Sequence, residues 1–211
     1  MKKSFLWDND VLYKCTILKL WEDFFLQKLT KEHKHFYLES CRFIFKKSLN
    51  ETGENIQRLD NQLSKMKIVE KLKDENELDI FSNKPKIDYC EAFFFAKMKE
   101  GDFLLITGDK KSLEALKEMN INKQTLYNKI ILWEDLLYET LQRMSEEKII
   151  ERFKNLSFRD TFLRVVFSKE NLKSKERILD AINHYRRDSR KSFGEFLVDN
   201  SEFFKKLEIR D

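Results

Sequence analysis

Glycine and proline are scarce, with four and one respectively in 211 residues. So few chain breakers argue against a disordered or all-β protein and favour helices. Cysteine is also sparse. Cys15, Cys41 and Cys90 are far apart, with no Cys-x-x-Cys and no histidine near a cysteine at zinc spacing. That excludes a disulfide framework and fits a reducing compartment. No apolar run approaches the ~18 residues a membrane span needs. Lys2 and Lys3 precede only a short apolar stretch before Asp8, which is no signal peptide. A Gly-rich phosphate loop and a G-x-S-x-G elbow are both missing, which argues against nucleoside triphosphate hydrolysis and serine-hydrolase chemistry. The expectation is a soluble cytoplasmic protein without a membrane partner.

Apolar material is plentiful. Hydrophobic residues make up 41% of the chain, including 19 phenylalanines, enough for a substantial core. The net charge of +4 is uneven. Residues 1–150 balance, so the basic excess lies beyond them. Such a bias suits either a nucleic-acid partner or a solvated helical surface.

Short apolar runs that stop at turns mark the strands. Phe103-Leu104-Leu105-Ile106 ends in Thr107-Gly108-Asp109, and a helical pattern follows. Phe5-Leu6-Trp7 likewise runs into Asp8-Asn9-Asp10 and an apolar helix. Strands are expected at 4–7, 34–38, 103–107 and 129–133. Residues 67–72 read either as a further short strand or as the end of the preceding helix. Strands alternating with helices to about residue 143 predict an α/β fold. Its central sheet is mostly parallel, of about five strands, with both faces covered. Residues 144–211 read as a helical C-terminal extension, with segments at 146–156, 158–168, 171–191 and 193–207. The division is therefore 1–143 and 144–211.

The acids have local explanations. Asp88-Tyr89-Cys90-Glu91 fits a capping box, and Asp8, Asp10 or Asp109 can cap the helix that follows. Together they mean more. In an open parallel sheet, strand ends and helix starts share the ligand-binding edge. Asp8 and Asp109 fall there, and Asp88 and Glu91 open a helix. Carboxylates crowded on one rim repel unless a cation joins them, and hard oxygen donors suit Mg²⁺ or Mn²⁺.

Trp7-Asp8-Asn9-Asp10-Val11-Leu12, Asp88-Tyr89-Cys90-Glu91-Ala92 and Ile106-Thr107-Gly108-Asp109-Lys110 resemble, in order and spacing, the three acidic motifs of PIN-domain nucleases. The resemblance covers roughly residues 4–143. It implies a three-layer α/β/α sandwich and metal-dependent cleavage of RNA. Asp8, Glu91 and Asp109 would be the metal-binding acids, and Thr107 would support them through its hydroxyl. Asp10 and Asp88 would be nearby acids. Many such nucleases are toxins held by an inhibitor protein. Two departures stand out. Cys90 occupies a position that is often Gly, and Lys110 and Lys111 follow Asp109 where a fourth acid is frequent. Asp10 and Asp88 are the candidates to replace that acid. Failing that, one metal fits better than two. A DNA-cleaving nuclease and a non-catalytic binding module of the same fold are the alternatives.

The densest basic patch spans 184–191. On a helix, Arg186 lies over Arg190 and Arg187 over Lys191, with Tyr185 available to stack on a base. This suits RNA or single-stranded DNA, or else internal ion pairs. Lys110 and Lys111 lie beside the acidic edge and are better placed for a phosphate backbone. Phe93-Phe94-Phe95 and the tryptophans read as core. The extension could also serve a homodimer or receive an inhibitor.

Overall fold

The computed structural model describes residues 2–49, 53–156, 158, 160–199 and 203–205. Five strands form one parallel sheet: β1 (Ser4–Trp7), β2 (Lys34–Tyr37), β3 (Lys67–Ile68), β4 (Phe103–Thr107) and β5 (Ile130–Leu132). The spatial order is β3-β2-β1-β4-β5. Progress from β1 runs one way through β2 and β3, while β4 and β5 continue the other side. The order reverses between β1 and β4, where open α/β sheets place their ligand crevice.

Alternation along the strands builds two hydrophobic layers. Phe5, Trp7, Leu104, Ile106 and Ile131 enter one cluster, and Leu6, Leu105, Ile130 and Leu132 enter the other. Strands buried on both faces need continuous apolar runs, which is why they stood out in the sequence. The ambiguous stretch at 67–72 resolves into the two-residue β3, paired with Phe36 and Tyr37.

Helices α1 (Asn9–Ile17), α2 (Phe24–Glu32), α3 (Cys41–Leu49) and α4 (Gly53–Leu63) come before β3. Helices α5 (Asn76–Ser82) and α6 (Tyr89–Glu100) lead into β4, and α7 (Lys110–Glu118) joins β4 to β5. Residues Glu91 to Met98 of α6 are all buried, the expected Phe93-Phe94-Phe95 among them. A helix this apolar on all sides must be covered twice, here by the sheet and by α5. The architecture is the expected α/β one, helices flanking a five-stranded parallel sheet, as in a three-layer sandwich.

After β5 come α8 (Trp133–Gln142), α9 (Glu146–Phe153), α10 (Thr161–Val166) and α11 (Lys175–Phe193). The extension shares the body's core. Phe153, Leu163, Phe167 and Ile178 belong to the same cluster as Trp7 and Val11. Three ion-pair clamps add to this. Asp23 takes Lys148 and Arg152, Lys14 takes Asp160, and Asp135 takes Arg186 and Arg190. In each clamp the body supplies a buried side chain and the extension its counter-charge.

Of the helix expected at 193–207, residues 203–205 are helical, 194–199 are not, and 200–202 and 206–207 lie outside the described residues. Phe196, Leu197 and Val198 instead lie along β5. Ile130 N donates to Phe196 O at 2.9 Å, and Val198 N donates to Ile130 O at 2.9 Å. Three consecutive apolar residues cannot all be buried on one helical face. Extended on an open sheet edge, they fill both layers and satisfy the edge's backbone groups. Among the described residues, no helix is long and apolar enough to cross a membrane.

Candidate acidic site at the sheet edge

Strand β1 ends at Trp7, so Asp8 emerges at the carboxyl end of the sheet, and its N–H still donates to Ile106 O at 3.0 Å. Asp8 occupies the N-cap position of α1 but its side chain caps nothing. Its carboxylate instead accepts the Thr107 hydroxyl at 2.8 Å. Thr107 in turn accepts from the Asp109 N–H at 3.1 Å. One hydroxyl thus fixes the two acids at the ends of β1 and β4, the supporting place expected for it.

Asp109 caps α7, accepting from Lys111 N at 2.7 Å and Ser112 N at 3.1 Å. Asp88 and Glu91 form a complete capping box at the start of α6. Glu91 N donates to Asp88 at 2.9 Å, and Asp88 N donates to Glu91 at 2.9 Å. The local explanation for these acids therefore holds. It does not compete with a site, because Asp8, Asp10, Asp88, Glu91 and Asp109 all line one cleft of about 740 Å³.

The electrostatics are those of negative charge packed without enough compensation. Burial is the main cause that pushes the Asp8 carboxyl up to about 6, and Asp10 and Asp88 add repulsion against the Thr107 hydrogen bond. Glu91 is raised to about 9, first by burial and then by a hydrogen bond shared with Asp109. Glu91 and Asp109 share a hydrogen bond, and a cation between them would relieve the same repulsion.

Three residues of this cleft were missed in the sequence. Lys14 is buried and bridges Asp10 at 2.7 Å and Asp160 at 2.8 Å. Its spacing of four from Asp10 on α1 was a readable signal. Glu134 follows the end of β5 and pairs with Lys110 at 2.6 Å. The strand-end rule that picked out Asp8 and Asp109 applies to it equally. Asp160 had no such signal, since only the packing of α10 brings it here.

The basic residues divide. Lys110 and Lys111 line the cleft, as expected. Arg186 and Arg190 are held by Asp135, with Arg186 Nε at 2.8 Å and Arg190 Nη2 at 3.0 Å from its oxygens. Arg187 and Lys191 face solvent on the other side of α11. The patch that looked continuous in sequence is thus half internal clamp and half exposed surface.

As a donor set the acidic rim suits a hard divalent cation, being all oxygen and short of positive charge. Among the described residues, no three His, Cys, Asp or Glu side chains converge on a common point for an ion. Glu91 and Asp109 are turned to each other and to their helix N-termini instead. Comparison of the chain with protein-family models, curated proteins and solved structures found no match.

Proposed function

We propose that this chain is a Mg²⁺- or Mn²⁺-dependent endoribonuclease of the PIN-like kind, cutting RNA phosphodiester bonds with an activated water. One observation carries the reading. Carboxylates from three distant stretches line a single cleft at the switch point of a parallel sheet. Asp8, Glu91 and Asp109 would hold the ion, with Asp10 and Asp88 at the rim. When bound, it would supply the Lewis acidity that lowers the pKa of water and offsets charge on the phosphate. Thr107 keeps Asp8 and Asp109 in register, and Lys111 attracts the phosphate backbone from the exposed lip of the cleft. A role as toxin or defence effector, with an inhibitor protein docked on the extension, belongs to the same proposal.

The test is cleavage of end-labelled single-stranded RNA by the full chain in Mg²⁺ or Mn²⁺, with EDTA as control and single-stranded DNA in parallel. Metal-dependent cutting that Asp8→Asn and Asp109→Asn each abolish supports the reading. Undiminished cutting by both variants removes those roles, and cutting of DNA alone reassigns the substrate.

A second reading, a non-catalytic nucleic-acid-binding module, draws on the Glu91–Asp109 contact and on Glu134 neutralising Lys110. Calorimetric titration with Mn²⁺ separates the two. Carboxylate-dependent binding favours the enzyme, and its absence together with absent cleavage favours the module.

A further inference from the structure

We propose that the extension gives this cleft a pocket for one unpaired nucleobase, with Tyr185 and Phe162 as its stacking wall. The inference rests on the nucleic-acid reading above and names the form of substrate. Phe162 of α10 and Tyr185 of α11 meet edge to face, ring centres 4.9 Å apart at 90°. Both are half-buried, and both line the same cleft as the carboxylates. Lys110 stands beside them, its Nζ 5.5 Å from the Tyr185 ring centre and 2.6 Å from Glu134. An aromatic face, a cation and an acidic rim therefore share one cavity.

A second observation is independent of the rings. Trp133 Nε1 and Glu134 Oε2 are buried without a hydrogen-bond partner among the described residues, and both residues line the cleft. Trp133 is 1% exposed and Glu134 4%. A donor and an acceptor left unmade in this way carry a free-energy cost, and since neither atom has appreciable accessible surface, a ligand with the matching groups removes it once the cleft wall shifts to admit them. A purely apolar ligand would leave it in place. A nucleotide of a strand brings the flat face of its base to stack, an edge of donors and acceptors, and a phosphate for the lysines.

Pairing state follows from geometry. A base inside a duplex has both faces covered and its edge occupied, so it can enter only after leaving the stack. The volume of about 740 Å³ lies in the small-molecule range, far below what a double helix needs. The cleft therefore selects single-stranded RNA, loops or frayed ends.

The test measures binding of a fluorescein-labelled mixed-sequence RNA decamer to the full chain, with Ca²⁺ in place of Mg²⁺. Its perfect duplex and free adenosine monophosphate serve as competitors. The single strand is expected to bind at least about tenfold tighter than the duplex, and Tyr185→Leu to weaken it about tenfold, with Tyr185→Trp restoring it. Equal affinity for strand and duplex, or no effect of Tyr185→Leu in a chain that is folded by circular dichroism, overturns the pocket alone. Adenosine monophosphate competing as well as the strand overturns it in favour of a soluble nucleotide. If no oligonucleotide binds even the unaltered chain, the nucleic-acid reading falls with it. Should Tyr185→Leu not fold, decamers with one abasic site decide the matter on the unaltered chain. A loss of about tenfold confined to one position supports the pocket, and a flat series overturns it.

Discussion

Asp160 of the extension lies 2.8 Å from the Lys14 ammonium, which also holds Asp10 at 2.7 Å. One buried cation thereby fastens the extension to the acidic rim. Burial disfavours the charged lysine, yet Asp10 and Asp160 outweigh it and hold its pKa above the ordinary value. Asp160 also caps α10 through Leu163 N at 2.9 Å. Asp160→Ala removes both contacts and is expected to cost about 2–3 kcal/mol in urea unfolding. An unchanged unfolding midpoint would mean that the tie contributes nothing to holding the extension down.

The Asp135 clamp makes a stronger case. Its carboxylate is 1% exposed and faces two guanidinium groups of α11. Asp135→Ala leaves Arg186 and Arg190 without their counter-charge and is expected to destabilise the chain by about 3 kcal/mol. Arg187→Ala and Lys191→Ala, on the solvent side, should each stay within about 0.5 kcal/mol. Denaturant unfolding of the three variants checks the contrast. If Asp135→Ala matched the surface variants, α11 would be held by apolar contacts alone.

The strands were legible because a strand buried on both faces leaves a signal in three or four consecutive residues. Phe103 to Ile106 is such a signal, and so is Phe5 to Trp7. The acids Asp8 and Asp109 were legible for the same reason, since a strand end fixes where the next side chain goes. Glu134 obeys the same rule but sits behind Trp133, which looked like the last residue of its strand. Within the helix expected at 193–207, residues 194–199 were lost to a tertiary choice, the open edge of β5, of which Phe196 to Val198 carry no local sign. The basic stretch 184–191 was visible, but its division between Asp135 and solvent was not. Helical spacing says which residues share a face and nothing of what that face meets.

His35 should make an acid-sensitive contribution to stability, opposite in sign to that of the raised Asp8 and Glu91 carboxyls, which gain stability as pH falls. Its Nδ1 accepts the Trp7 indole N–H at 2.8 Å, its Nε2 is 2.9 Å from Leu29 O, and its ring stacks on Phe5. Burial is the main cause that lowers its pKa from 6.5 to about 4. Above pH 6.5 the ring is neutral folded and unfolded, so this stability is fully present. As pH falls from 6.5 towards 4 the unfolded chain takes up a proton that the folded chain refuses, and the contribution of His35 declines by about 3 kcal/mol. Urea unfolding at pH 7 and pH 4.5 reads the loss. His35→Gln lowers stability at pH 7 by removing the stack, and from pH 7 to pH 4.5 it should lose less stability, or gain more, than the unaltered chain by about 3 kcal/mol. An equal acid loss in that variant would place the titrating group elsewhere.

Asp8→Asn distinguishes a working metal site from a structural knot of acids. The amide oxygen can still accept the Thr107 hydroxyl, so the turn after β1 keeps its hydrogen bond, while one buried negative charge leaves a crowded rim. In EDTA the variant should therefore be as stable as the unaltered chain or more so, by roughly 1 kcal/mol, where a purely structural carboxylate would show a loss. Adding Mn²⁺ should raise the melting temperature of the unaltered chain, because an ion that binds only the folded form stabilises it by mass action. Asp8→Asn should show a much smaller rise, with cleavage of RNA down at least about 100-fold. Equal Mn²⁺ responses in the two proteins would take Asp8 out of any ion site. A large loss of stability in EDTA would instead mark its carboxylate as part of the fold's own support.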